Sequence, residues 1–180
     1  LTPKTVLDLS LSHTTQGGFL AGQFNSVFLG SVEASEELPN SRNRTALTAR
    51  IKQGIGDHHT IEAGARYYND SWSVNAATLT AGYSVYVDPA HKVLLHGGYR
   101  WYIQFASSHF ENGFAANARP EFRTSDPDLG GFIGHMGTVK ITLADIFGAE
   151  AGDLDIEANY YFRTSGLDAF WFALGYRFSI

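Results

Sequence analysis

The sequence predicts an all-β fold of up-and-down antiparallel strands, and three observations predict it. The first is segment 154–180, two runs that alternate in polarity around one turn. Side chains in a strand alternate faces, so Leu154, Ile156, Ala158, Tyr160 and Phe162 share one side and Asp155, Glu157, Asn159, Tyr161 and Arg163 the other. In the second run Phe170, Phe172, Leu174, Tyr176, Phe178 and Ile180 form an unbroken apolar stripe, backed by Ala169, Trp171, Ala173, Gly175, Arg177 and Ser179. The second observation is composition: 14% aromatic residues and 19 glycines against 5 prolines suit strands better than a helical bundle. The third is recurrence, because the same alternation returns along the chain.

Eight runs can be counted, at about 4–12, 43–54, 59–69, 72–87, 92–107, 131–146, 153–164 and 168–180. Each reaches the ~9–11 residues with which a tilted strand crosses a hydrocarbon layer. No run of eighteen apolar residues exists, so a closed barrel is the way this chain would span a bilayer. Short turns at 54–59, 87–92 and 147–153 alternate with the connections 13–42, a tight turn near Asn69–Ser71, 108–130 and 165–168. Barrels of this type keep short turns in the periplasm and long loops outside. Both termini are then periplasmic, and residues 1–180 form one domain.

The remaining runs repeat the two faces. Val93, Leu95, Gly97, Tyr99, Trp101, Ile103 and Phe105 oppose Leu94, His96, Gly98, Arg100, Tyr102 and Gln104. Collected over the chain, the polar face carries Asp8, Glu62, Asp155 and Glu157 with Arg50, Lys52, Arg66, Arg100, Lys140, Arg163 and Arg177. Alternation alone does not say which face points inward, since a soluble barrel shows the same period with apolar residues inside. The aromatics decide for the membrane. Tyr67, Trp101, Phe105, Tyr160, Phe162 and Phe170 gather toward one end of the strands and Tyr83, Tyr176 and Phe178 toward the other, as amphipathic rings do at a lipid–water boundary.

The charged lining admits two readings. Eight strands leave room only for side chains or one small ligand, which favours a filled, salt-bridged lumen with a structural or surface-binding role. A wider barrel would make the same surplus of bases the lining of a pore for small anions. A third reading is a rim enzyme acting on lipid, with His109 beside Ser107, Ser108 and Glu111. Residues so close in sequence rarely meet triad geometry, and no catalytic residue is assigned. Asp57-His58-His59 offers imidazole and carboxylate ligands without a full set, and Asp126 and Asp128 read as turn chemistry. No metal and no cofactor is expected. The net charge of −5 argues against a nucleic-acid partner, and cysteine is absent.

A chain ending on an aromatic strand resembles bacterial outer-membrane β-barrels, although it closes on Ile180 and not on the usual Phe. That resemblance implies an outer-membrane location, contact with its lipid and lipopolysaccharide, and the assembly machinery as partner of the last strand. It names no surface partner. Further segments resemble an uncharacterised family of such proteins, a domain of unknown function. They are ARYYNDSW (Ala65 to Trp72), GYRWYIQFASSHF (98–110), SHTTQGGFLAGQF (12–24) and LPNSRNR (38–44). Members are usually longer, with strands ahead of this region, and the family brings no established activity.

Register arithmetic gives one sharper expectation. A turn near Leu167 sets Glu157 opposite Arg177, a turn near Gly148 and Ala149 sets Lys140 opposite Glu157, and a turn at Gly56 sets Arg50 opposite Glu62. Glu157 is then expected between two cations.

Overall fold

The alternating runs become strands wherever a partner of matching parity lies alongside. In a computed structural model describing residues 2–22, 24–118, 120–146 and 152–178, β1 (Thr5–Gly17) is followed by a small hairpin, β2 (Ser26–Leu29) and β3 (Val32–Ser35). Then come β4 (Ser41–Ile55), β5 (His59–Asp70), β6 (Asn75–Tyr86), β7 (Val93–Phe105), β8 (Phe132–Leu143), β9 (Asp153–Arg163) and β10 (Leu167–Arg177). One antiparallel sheet runs β1-β4-β5-β6-β7-β8-β9-β10, and β2 pairs only with β3. A single 3₁₀ turn, Pro127–Leu129, is the one helical element among the described residues.

Several boundaries differ from expectation, among them the end of β1 and the start of β6. β1 runs on to Gly17, because Ser12 to Gly17 pair with Ala46 to Ser41. β6 starts at Asn75, because Trp72 to Val74 are spent in the turn after Asp70. The eight strands do not close a barrel by themselves. β1 and β10 are the ends of the sheet, each hydrogen-bonded on one side only. The expected closure by eight strands is thus corrected to an open, curved sheet, and Ser179 and Ile180 lie outside the described residues.

Parity holds across the whole sheet. One row of opposed residues reads Leu7, Ile51, Ala63, Ala81, Tyr99, Gly137, Tyr160 and Phe170, all from the apolar face. The adjacent row reads Asp8, Arg50, Gly64, Thr80, Arg100, Met136 and Tyr161, from the other face. The glycines show which face is concave. A Cβ on Gly97 or Gly137, in apolar rows, would meet nothing within 4 Å. On Gly64, Gly82, Gly98 or Gly134, in polar rows, it would come within 2.6–3.1 Å of a neighbouring side chain. Side chains converge on the inside of a curved sheet and diverge on its outside, so the polar face is the inner one.

Leu9, Leu47, Leu79, Val139, Phe172 and Leu174 are accordingly exposed on the outside. The aromatics assigned to girdles lie on the same outer face, with Phe178 just past the end of β10. Two polar groups on this face are satisfied by tyrosines: His59 Nδ1 lies 2.7 Å from the Tyr83 hydroxyl and His135 Nδ1 2.5 Å from that of Tyr99. The hydrophobic core is elsewhere, at the loop rim, where Leu38, Trp72, Val74 and Leu129 are buried together.

Two substitutions on β10 check the faces. Leu174→Arg, on the outer face, should cost roughly 2–4 kcal/mol in a bilayer near mid-depth. Ala173→Arg should be tolerated, because its register partner is Glu157. Unfolding from lipid vesicles measures both, and equal losses would reverse the assignment.

Candidate functional site

The inner face forms a charged trough whose two halves handle charge differently. On β8–β10 the charges are paired. Lys140 Nζ lies 3.0 Å from Asp155, whose carboxylate also takes Arg177 at 3.4 Å and the Thr142 hydroxyl at 2.6 Å. Arg177 reaches Asp153 as well, at 3.7 Å. The carboxylate between the two cations is therefore Asp155 and not Glu157, which accepts from Asn159 Nδ2 at 2.7 Å. Lys140 does face Glu157 in the register, but its amine crosses diagonally to Asp155. The β9–β10 register moves because the turn is Thr164–Gly166, closed by Gly166 N donating to Arg163 O with Gly166 at φ +90°. Arg177 then opposes Asp153, and Ala173 opposes Glu157. Likewise the turn Gly56–His58 sets Lys52, and not Arg50, opposite Glu62. Both corrections are even shifts, so no side chain changes face.

At the centre of the sheet Arg50, Lys52, Arg66 and Arg100 have no carboxylate within 4 Å among the described residues. Arg50 stands opposite Asp8 and Gly64. Arg66 lies against the Tyr68 ring, 5.3 Å from its centre, and Arg100 against Tyr102 at 5.7 Å. Glu62 is 3.7 Å from His96 Nδ1, a contact that is ionic only when the imidazole is protonated. A cleft of about 540 Å³ is lined by Asp8, Arg50, Lys52, Glu62, His96 and Arg100, among others. His96, Tyr68 and Tyr102 are members of this surface that charge counting alone passed over.

At the loop rim the connections pack into a cap. Its hub is Asp70, whose side chain is fully buried. The carboxylate accepts from Arg42 Nε at 2.8 Å and from its Nη2, from the Tyr68 hydroxyl at 2.9 Å, and from the backbone N–H groups of Trp72 and Val74 at 2.9 and 3.0 Å. Arg42 lies 4.3 Å from the Trp72 ring centre, and Trp72 Nε1 donates to Ser41 O at 3.0 Å. Ser73, between those two N–H groups, takes φ 67°, a conformation few non-glycine residues adopt unless the surroundings hold it. Glu36, also buried, accepts from Gly22 N at 2.6 Å and from the Thr124 hydroxyl at 2.5 Å. Arg163 crosses from the trough to Asp128 at 2.6 Å and lies 4.8 Å from the Phe132 ring centre.

The rim serines and His109 are placed by this packing. The Ser107 hydroxyl donates to Trp72 O at 2.8 Å and accepts from His109 N at 3.2 Å. The His109 ring packs against Trp72 and Phe122, with centres 6.5 and 5.5 Å away. Burial lowers its pKa below the ordinary imidazole value, with the Asp70 carboxylate opposing. At the opposite rim Asp57 pairs with Lys4 at 2.8 Å, which holds its carboxyl below the usual range. His58 Nε2 lies 3.2 Å from His91 Nε2. Among the described residues no three His, Asp or Glu side chains converge as a metal site.

An antiparallel sheet with an apolar convex face and a charged concave one is the architecture of an outer-membrane β-barrel wall. The comparisons agree. Residues 1–170 match the family model described as "Protein of unknown function (DUF3570)", and the chain belongs to that family. Among solved structures it is similar to the loop L8 deletion mutant of OmpT, an outer membrane protein of Vibrio cholerae, at 14% identity and a TM-score of 0.61. The similarity covers 99% of this chain and 50% of the other, so the chain spans half the length of that protein. No curated protein matches.

Asp70→Asn should destabilise the folded protein by about 3 kcal/mol, because Arg42 stays buried without its anion. Replacing both, as Asp70→Asn with Arg42→Met, should recover part of that loss. Urea unfolding in detergent followed by tryptophan emission gives both numbers. His109 adds a pH dependence. With its folded pKa lowered, it contributes stability fully present above the ordinary value of 6.5 and lost as pH falls toward the lowered value. The cap should loosen on acidification through that window, and His109→Phe should flatten the response.

Proposed function

We propose that this chain is an arc of an outer-membrane pore whose concave face is the wall of a water-filled passage for small anionic solutes. One observation carries the reading: the sheet stays open, so the charged face borders solvent rather than a lumen packed shut. A lumen filled by side chains needs eight strands to meet edge to edge, and β1 and β10 each keep a free edge. The likeness to a chain of twice the length supports a wider barrel, in which the remaining strands join both edges. Arg50, Lys52, Arg66 and Arg100, which stand without carboxylates among the described residues, supply the anion preference.

In this reading the convex face meets lipid, with Tyr67, Trp101, Phe105, Tyr160, Phe162 and Phe170 at the outer boundary and Tyr83, Tyr176 and Phe178 at the inner one. The short turns face the periplasm and the cap faces outward. The cap covers part of the mouth, and Asp70 fixes its position.

The full-length protein reconstituted in planar bilayers should open in stable steps, with a reversal potential displaced toward chloride in a salt gradient. Its folded form should also migrate differently on unheated and boiled SDS gels. Folded protein that never conducts would overturn the passage and return the trough to a structural role.

A further inference from the structure

The cationic half of the trough holds one place where the geometry is more specific than a surplus of charge. Gly64 opposes Arg50 on one side and Thr80 on the other, and Thr80 opposes Arg100. In the next inward row Arg66 opposes Thr48 and Thr78. The missing side chain at Gly64 leaves a bay of about 330 Å³ lined by Thr48, Arg50, Arg66, Thr78, Thr80 and Arg100. A Cβ on Gly64 would fall 2.6 Å from Thr80 Oγ1 and 3.3 Å from Arg50 Cγ, so only glycine leaves the bay open.

Three guanidinium groups share this bay, and none has a carboxylate within 4 Å among the described residues. The nearest candidates are engaged or misplaced. Glu62 lies by His96, and Asp8, although opposite Arg50 in the register, makes no ion pair with it. Arg66 and Arg100 are steadied instead by tyrosine faces, which hold a guanidinium without neutralising it. Threonine hydroxyls stand between the arginines as further donors. Forked, always-charged donors beside hydroxyls, with no carboxylate to neutralise them among the described residues, match a tetrahedral oxyanion.

We propose that Arg50, Arg66 and Arg100, with the hydroxyls of Thr48, Thr78 and Thr80, form a binding site for a small oxyanion of the phosphate or sulfate class on the trough wall. The site refines the passage reading and rests on it for its physiological meaning. It selects oxyanions over halides, because a halide offers one acceptor centre where the arginine forks need several.

The test uses the full-length folded protein and inorganic phosphate as probe. Calorimetric titration in uncharged detergent at low salt should show binding that sulfate displaces and chloride at the same ionic strength does not. Arg66→Gln and Arg100→Gln should each weaken it roughly tenfold, and Arg66→Lys nearly as much, since an ammonium lacks the fork. Gly64→Ala should weaken it with every charge retained, and Lys140→Gln, which removes a base already paired with Asp155, should leave it unchanged. The mobility shift between unheated and boiled gels reports folding for each variant. Equal losses in Lys140→Gln and Arg66→Gln would mean diffuse attraction only and overturn the site, as would phosphate binding that chloride abolishes. Phosphate binding with this signature in a protein that never conducts would keep the site and sink the passage. Anion-selective conductance unaltered by Arg66→Gln and Arg100→Gln would do the reverse.

Discussion

The rest of the structure depends on a single parity of side chains carried through eight strands. A one-residue slip in any pairing would turn a strand's apolar stripe into the trough and its charges outward. Kept in phase, the rows leave the sheet with no hydrophobic core of its own, and its apolar side chains stand exposed on the convex face. In water each such Leu or Phe forgoes about 1.5–3 kcal/mol of burial, so this surface is suited to lipid. Lipid in turn demands that every backbone polar group find a partner within the protein, at several kcal/mol for each that does not. The inner strands meet that demand. The outer edges of β1 and β10 do not, and this is the physical ground for reading the sheet as an arc that further strands complete.

The cap obeys the opposite rules. Its interior resembles that of a water-soluble protein, with Trp72, Val74, Leu38 and Leu129 packed together and the buried carboxylates of Asp70 and Glu36 matched to donors. Asp70 links the two regimes. It is the last residue of β5 and receives donors from the strand, from the turn and from Arg42 on β4. The loops then build on Trp72, whose carbonyl oxygen takes Ser107 Oγ and Ser108 N. The stretch Ala65–Trp72, which carries the family likeness, thus gives β5 its alternation and then ends it in this hub.

Much of this was legible in the sequence, and the limits have physical causes. Alternation reports faces, and the rows of opposed residues keep the expected parity from β1 to β10. It reports register only modulo two, so Arg177 was set opposite Glu157 where it stands opposite Asp153, and Arg50 opposite Glu62 where Lys52 stands. Turn geometry fixes the rest, through single residues such as Gly166 and Gly56 at positive φ. The β2–β3 hairpin was missed because its two strands have four residues each, too few for a period to show. The Asp70 hub was visible only as a motif, since its partner Arg42 is 28 residues away. Closure was beyond any local pattern, because it concerns edges that meet far apart in the chain.

The contrast between the two halves of the trough is what the anion preference of the proposed passage rests on. If the inner face served only to be filled, each base would gain most from a neighbouring carboxylate, as Lys140 and Arg177 do around Asp155. The means were at hand at the centre as well, where Asp8 faces Arg50 and Glu62 faces Lys52, yet among the described residues neither of these facing couples forms an ion pair. Tyrosine rings are set beside Arg66 and Arg100 instead, and a glycine opens space between Arg50 and Arg100. Like charges held close raise the energy of the trough, a cost that the proposed oxyanion would relieve. A sheet that neutralises its bases near one edge and leaves Arg50, Arg66 and Arg100 without carboxylates at its centre suits the proposed passage for a mobile counter-ion.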